Sequence, residues 1–274
     1  MSMSWKHRRI PLGWGRMCVH LAGDGPPLLL LHGLGGSGRY WAGLAPALAG
    51  THLLIAPDLA GFGRSDKPRI DYSRDFHLDT LDSLLGALRV EVAVGLAGHS
   101  MGGILAALLA LRRPEAVESL ALVAAPFPRE QRRPTRMPTG RVRLATYGVI
   151  QRLLPIVSPL VRSATFPREV VADYLRHTVA SYQSTSHALI WDPAVGDLLG
   201  GLDAALGRRR QLLLYSDQDT TIAADSRTRW EAVLPGAELQ VMPGAHQLLL
   251  RDHFVTLARW FAAEAARPAV APQP

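Results

Sequence analysis

Serine between two glycines, Gly98-His99-Ser100-Met101-Gly102, is the most chemically suggestive feature of this chain. A Val, Ala and Leu run precedes it and an Ala/Leu-rich run follows, so the serine falls where a strand turns at once into a helix. One reading is local: serine is a good helix N-cap, and glycine eases a tight turn. The other is a nucleophile held at the corner of a strained strand-to-helix turn, its hydroxyl exposed at the strand's carboxyl end. The following helix would then direct its positive N-terminal end at developing negative charge. A serine hydroxyl is a weak nucleophile at neutral pH and needs a base beside it, for which imidazole is best suited. The chain offers ten histidines.

The elements that must position such groups are visible as an alternation. Seven short apolar runs read as strands: MCVHLA, PLLLLH, HLLIAPD, VAVGLAGH, SLALVAA, QLLLYS and ELQVM. Several are apolar throughout, as strands covered on both faces must be. Helical spacing is carried by Tyr40 to Leu48, Arg74 to Leu88, Met101 to Arg112, Ser226 to Val233 and His253 to Ala266. The expected fold is therefore α/β, a mostly parallel central sheet with helices on both faces. From Phe127 to Leu202 no strand is expected. Helical spacing there is broken by Pro155, Pro159 and Pro167, which predicts an inserted helical segment. Predicted boundaries are 1–126 and 203–274 for the sheet-bearing core and 127–202 for the insertion. The Ala/Pro tail after Arg267 is expected to fray.

Bulk properties narrow the partners. With 48% apolar and 19% charged residues, the 274-residue chain is expected to be globular rather than disordered. No apolar run is long enough for a membrane span, and the basic N-terminus has no apolar leader, which predicts a cytoplasmic protein without membrane association. The net charge of +7 would suit nucleic acid, but the basic residues are dispersed, and only Lys6 and Lys67 are lysines. The denser run from Arg129 to Arg143 is interrupted by Pro134 and Pro138 and reads as a solvated loop. No nucleic-acid partner is expected. Cys18 is the only cysteine, and neither a thiolate cluster nor a His-Glu-x-x-His pair is present, so no metal or organic cofactor is implied. The Gly-rich His32-Gly33-Leu34-Gly35-Gly36 stretch lacks the Lys-Ser/Thr ending of a P-loop and the spacing of a dinucleotide fingerprint.

Taken in order, His32-Gly33-Leu34-Gly35-Gly36, then Pro57-Asp58-Leu59-Ala60-Gly61-Phe62-Gly63-Arg64-Ser65, then the Ser100 motif, then Tyr215-Ser216-Asp217-Gln218-Asp219 and Pro243-Gly244-Ala245-His246 resemble the α/β-hydrolase fold family. The likeness is to its serine-nucleophile branch with a helical cap. The resemblance implies a lid over the sheet's carboxyl edge for 127–202. It implies Ser100 as nucleophile, His246 as base and Asp219 as the acid that orients the imidazole, with Asp217 as an open alternative to Asp219. His253 is the nearest rival to His246 and is expected in the final helix. His99 is expected to pack behind the site, and Asp58 to organise a loop. Oxyanion donors would be the backbone N–H groups of Leu34 and Met101. The same resemblance implies a small-molecule substrate and acyl transfer to water from an ester, thioester or lactone, with oligomeric state left open. Epoxide hydrolases and dehalogenases of this fold carry aspartate where Ser100 stands. Carbon–carbon hydrolases often carry a tryptophan soon after the histidine, where this chain reads Gln247-Leu248-Leu249-Leu250; they and a non-catalytic ligand receptor remain the alternatives. Leu34, Tyr40, Trp41, Phe127, Tyr182 and Trp191 are the expected pocket residues.

Overall fold

A computed structural model describes residues 5–129, 173, 176–247 and 254–265. Eight strands form one sheet: β1 (Lys6–Leu12), β2 (Gly15–Ala22), β3 (Pro27–Leu31), β4 (Leu53–Pro57), β5 (Val94–His99), β6 (Val117–Val123), β7 (Arg210–Ser216) and β8 (Glu238–Met242). Their spatial order is β1-β2-β4-β3-β5-β6-β7-β8. β2 runs antiparallel to both its neighbours, and every pairing from β4 to β8 is parallel. All seven expected strands are present. The eighth, β1, was not expected, because KHRRIPL shows no apolar alternation: it is an edge strand, mostly exposed, with only Ile10 buried. Basic side chains and Pro11 on such an edge discourage pairing with another chain, at the expense of the usual strand signal.

Central strands bury both faces, and the period of two divides their side chains between two cores. Leu29, Leu31, Leu96, Leu120, Leu122 and Leu213 belong to one apolar layer with Ile104 and Leu108. Their alternates Leu28, Leu30, Ala97, Ala121, Leu212 and Leu214 belong to the other, with Trp41, Trp260 and Phe261. The first layer is covered by α2 (Arg74–Ala87) and α3 (Met101–Arg112), and the second by the segment Gly38–Leu44 with α1 (Ala45–Leu48) and by α8 (Phe254–Ala265). The expected helix Tyr40 to Leu48 thus begins as a 3₁₀ helix over Gly38–Leu44 before becoming α-helical. His253 lies outside the described residues. Among the described residues no helix is long and apolar enough to cross a membrane.

Chain direction across the sheet reverses between β3 and β5: from β3 the chain steps outward to β4, and after β5 it steps the other way to β6. Loops leaving the carboxyl ends of strands on the two sides of such a point diverge and leave a crevice. The glycine-rich loop after β3 and the Ser100 turn after β5 are those two loops.

Within 127–202 the described residues contain no strand and two complete helices, α4 (Val179–Leu189) and α5 (Pro193–Leu199). α6 (Leu202–Leu206) straddles the expected boundary at 202/203, and α7 (Ser226–Val233) follows β7. A Thr178–Ser181 capping box starts α4. Its hydroxyl-rich face is bound to the core: Ser181 Oγ donates to the Gly61 carbonyl at 2.9 Å, Ser184 Oγ to Asp71 at 2.7 Å, and Thr185 Oγ1 lies 2.9 Å from His77 Nε2 on α2.

His77 is fully buried, and burial lowers its pKa from 6.5 to about 3. Between those values the unfolded chain binds a proton that the folded chain does not, so this stability is complete above pH 6.5 and is lost as pH falls towards 3. His32 and His99, also buried and shifted downward, act in the same sense. Thermal unfolding should therefore shift to lower temperature on acidification through that window, with a shallower slope in His77→Gln. An unchanged slope in the variant would show that His77 does not carry the effect.

Candidate active site

Ser100 stands between β5 and α3 with φ 53° and ψ −124°, a conformation that side-chain-bearing residues rarely adopt. Its amide continues the sheet by donating to the Val123 carbonyl at 2.8 Å, while its own carbonyl accepts from Gly103 N at 2.8 Å. Glycine is required on both sides for space. A Cβ on Gly98 would collide with the Gly102 carbonyl, and a Cβ on Gly102 would collide with the Leu31 carbonyl. Ser100 occupies the N-cap position of α3, yet its hydroxyl makes no capping hydrogen bond. It lies instead 3.1 Å from His246 Nε2.

His246 follows the turn after β8, and its Nδ1 lies 2.7 Å from Asp219 Oδ2. With Nδ1–H donating to the carboxylate, Nε2 is free to accept from the Ser100 hydroxyl. The other Asp219 oxygen accepts from the amides of Thr221 at 2.8 Å and Ile222 at 3.3 Å. Burial works against its charge, but the bond from His246 and the two amides outweigh burial and hold the carboxyl below its ordinary pKa. Asp217, the alternative acid, is exposed and accepts from Gly244 N at 2.9 Å. It fastens the turn before His246 to the end of β7 and makes no bond to the imidazole.

Behind the imidazole, His99 Nε2 donates to the main-chain carbonyl of His246 at 3.1 Å, and its ring stacks on Tyr40 with centroids 4.3 Å apart. Burial, followed by the neighbouring His246, pushes its pKa well below the ordinary value, so His99 stays neutral. The Gly33 to Ser37 loop packs on the Ser100 turn: a Cβ on Gly33 would come within 3.1 Å of the Ser100 Cβ. His32 anchors that loop, with Nδ1 2.8 Å from the Gly33 carbonyl and Nε2 accepting from Leu59 N at 2.9 Å.

A cavity of about 690 Å³ opens beside Ser100 and His246. Leu34, Tyr40, Phe127, Tyr182 and Trp191 line it, together with Ile190 and Ile222. Trp41 does not: it is fully buried in the apolar layer with Leu44 and Leu48, because adjacent residues of a helical turn point to different sides. Arg129, expected in a solvated basic loop, also lines the cavity; the rest of that run lies outside the described residues. Nothing in the residue pattern places Arg129, Ile190 or Ser226 at the cavity, which they reach only through tertiary packing.

One further group of potential ligands is buried away from the cavity. Cys18, His20 and Asp58 have candidate ligand atoms all within 4.8 Å of one another. Asp58 is already engaged. Asp58 accepts from His20 Nε2 at 2.9 Å and from the amides of Gly38 and Arg64, each at 2.7 Å. Burial raises the Cys18 thiol to about 11, which keeps it protonated. Thiolate is the form that binds metals, so these residues fit a structural role holding the loop after β4 better than a metal site.

An alpha/beta hydrolase fold profile matches residues 26–253, most of the chain. The chain belongs to the α/β-hydrolase fold family. Among its relatives, it is 41% identical over 112 residues to a 2-hydroxymuconate semialdehyde hydrolase of Pseudomonas sp., a stretch covering 39% of each chain. It is 38% identical over 120 residues to Lipase 3 of Moraxella sp., covering 42% of this chain and 38% of that one. The matched stretch thus spans well under half of these relatives. A thioesterase domain from the curacin biosynthetic pathway superposes with a TM-score of 0.71 at 21% identity, covering 95% of this chain and 99% of that domain, a likeness of fold.

Substitution should separate the two acids. Asp219→Asn should slow labelling of Ser100 by a fluorophosphonate probe by about three to four orders of magnitude, because an asparagine favours the wrong imidazole tautomer. Asp217→Asn, which keeps an acceptor for Gly244, should change it by only about twofold to fivefold. Equal losses in the two variants would contradict this division.

Proposed function

We propose that this α/β-hydrolase fold protein is a serine hydrolase that cleaves carboxylic esters, or the related thioesters and lactones, of small to medium apolar substrates. The observation that carries this reading is the hydrogen-bonded line from Ser100 Oγ through both nitrogens of His246 to Asp219, ending in a mostly apolar cavity. In the first step His246 Nε2 takes the hydroxyl proton as Ser100 Oγ bonds to the substrate carbonyl carbon. The carbonyl oxygen becomes an oxyanion, for which the N–H groups of Leu34 and Met101 are the proposed donors; such donors cost no reorganisation as charge develops. The imidazolium, stabilised by ionised Asp219, returns its proton to the leaving alcohol or thiol, and the acyl group remains on Ser100. Water, deprotonated by His246, attacks the acyl carbon, and the acid leaves as Ser100 recovers its proton.

Residues 127–202 are proposed as a lid over the cavity, a use supported by Phe127, Tyr182, Ile190 and Trp191, which contribute to its wall. A carbon–carbon hydrolase reading draws support from the Pseudomonas relative, but Gln247 rather than an aromatic residue follows His246.

A series of p-nitrophenyl esters of increasing acyl length tests the reading. Steady turnover is expected, with an optimum at short to medium chains, and Ser100→Ala should lower kcat by at least about a thousandfold. Turnover that persists in Ser100→Ala would overturn the assignment of the nucleophile. Binding without turnover of any ester would favour a receptor or a carbon–carbon hydrolase.

A further inference from the structure

The cavity wall is apolar along Leu34, Phe127, Ile190, Trp191 and Ile222, and among the described residues lining it Arg129 is the only arginine or lysine. Arg129 is held by its backbone, whose N–H donates to the Ile190 carbonyl at 3.1 Å. Its guanidinium is poorly engaged. Among the described residues its one carboxylate partner is Asp225 at 4.0 Å, and Asp225 is itself exposed and equally distant, 4.0 Å, from Arg229. A contact that long is not a hydrogen bond, and between exposed groups it adds little.

Next to Asp225 is Ser226, the first residue of α7. It lines the same cavity and is 1% exposed, and its Oγ has no hydrogen-bond partner. An orphaned buried hydroxyl is costly, and so is a guanidinium desolvated by an apolar ligand. Both costs disappear if one ligand supplies an anion. A carboxylate accepts two parallel N–H bonds from an arginine fork and a third from a serine hydroxyl, next to the positive end of a helix. Arg229, whose guanidinium lies 4.9 Å from the Phe127 ring centroid, adds positive charge to this end, and Asp225 opposes an anion there.

We propose that Arg129 and Ser226 form a carboxylate subsite, so that the substrate carries an acid group at its end remote from the scissile carbonyl, as in a half-ester or thioester of a dicarboxylic acid. This rests on the ester-hydrolase reading of Ser100, and it turns an otherwise apolar cavity into one with a polarity. The acid end binds at Arg129, the chain lies along the apolar wall, and the carbonyl is presented to Ser100.

The test compares mono-p-nitrophenyl esters of succinic, glutaric and adipic acid with the same compounds methylated at the free acid. The wild-type protein should favour at least one anionic member over its methylated partner by about tenfold or more in kcat/KM, mainly through KM. Arg129→Met should collapse that ratio towards one, Arg129→Lys should restore part of it, and Ser226→Ala should reduce it about threefold to tenfold. Preference for the neutral partner in every pair, or a ratio unchanged in Arg129→Met, would overturn the proposal. A second measurement needs no turnover: calorimetric binding of monomethyl glutarate to Ser100→Ala, against Ser100→Ala with Arg129→Met, both checked for equal thermal stability. Binding weakened by the second substitution supports the subsite even if no ester is cleaved, and identical or absent binding in both overturns it.

Discussion

Holding Ser100 at φ 53° costs on the order of 1–3 kcal/mol, and such a conformation persists only where its surroundings over-determine it. Three features do so. The Ser100 amide is committed to Val123 as the last rung of the parallel ladder, and its carbonyl is committed to Gly103 in the first turn of α3. Gly98 and Gly102 let β5, α3 and the end of β3 approach closer than any side chain would permit. Strand, helix and turn thus fix one another. With the corner fixed, the hydroxyl cannot cap α3 and points to His246.

The opposite wall of the crevice is held by buried polar groups. Asp58, fully buried, accepts from His20, Gly38 N and Arg64 N, and its carbonyl accepts from Ser65 Oγ at 2.6 Å. Burial alone would raise its pKa; the bond from His20 and the amide donors reverse that and keep it ionised. His32 then joins the loop after β3 to the loop after β4 by bonding Gly33 and Leu59 together. Leaving any one of these groups without its partner would cost about 1–3 kcal/mol. The loop that carries Leu34 is therefore positioned as firmly as the serine turn, although it contains no helix or strand of its own.

Most of the sheet was legible in the sequence because strands buried on both faces must be apolar without interruption, as PLLLLH and QLLLYS are. β1 was illegible for the complementary reason: an edge strand is stabilised by its ladder to β2 and is selected to look unlike a strand, which is what Lys6, Arg8, Arg9 and Pro11 achieve. Ser100 and His246 could be picked out as candidates because Ser100 follows a strand between Gly98 and Gly102, and His246 follows one after Pro243-Gly244. Asp219 was preferred over Asp217 only by resemblance, since both follow β7; in the turn Asp217 bonds Gly244 and Asp219 reaches across to the imidazole. Trp41 departs from the expected pocket position because a short helical segment presents Tyr40 to the cavity and the next residue to the core. Arg129 and Ser226 were invisible for a different reason, since β6 and α7 bring them together from nearly a hundred residues apart.

The proposed choice of His246 as the base, among ten histidines, is supported by the surroundings of the others near the site. His32, His77 and His99 are completely buried with their pKa values lowered, and each has a nitrogen engaged by a fixed partner: Gly33 and Leu59, Thr185, and the His246 carbonyl. A proton moved onto any of them would sit in a low-dielectric setting, and burial is the largest cause lowering the pKa of each. His246 alone of this group has an ionised carboxylate on one ring nitrogen and a hydroxyl on the other. In the proposed reaction the carboxylate would stabilise the imidazolium, and the hydroxyl would supply the proton. His99, kept neutral, braces the imidazole through its main chain without competing for that proton, so the same burial that disqualifies it as a base makes it a suitable support.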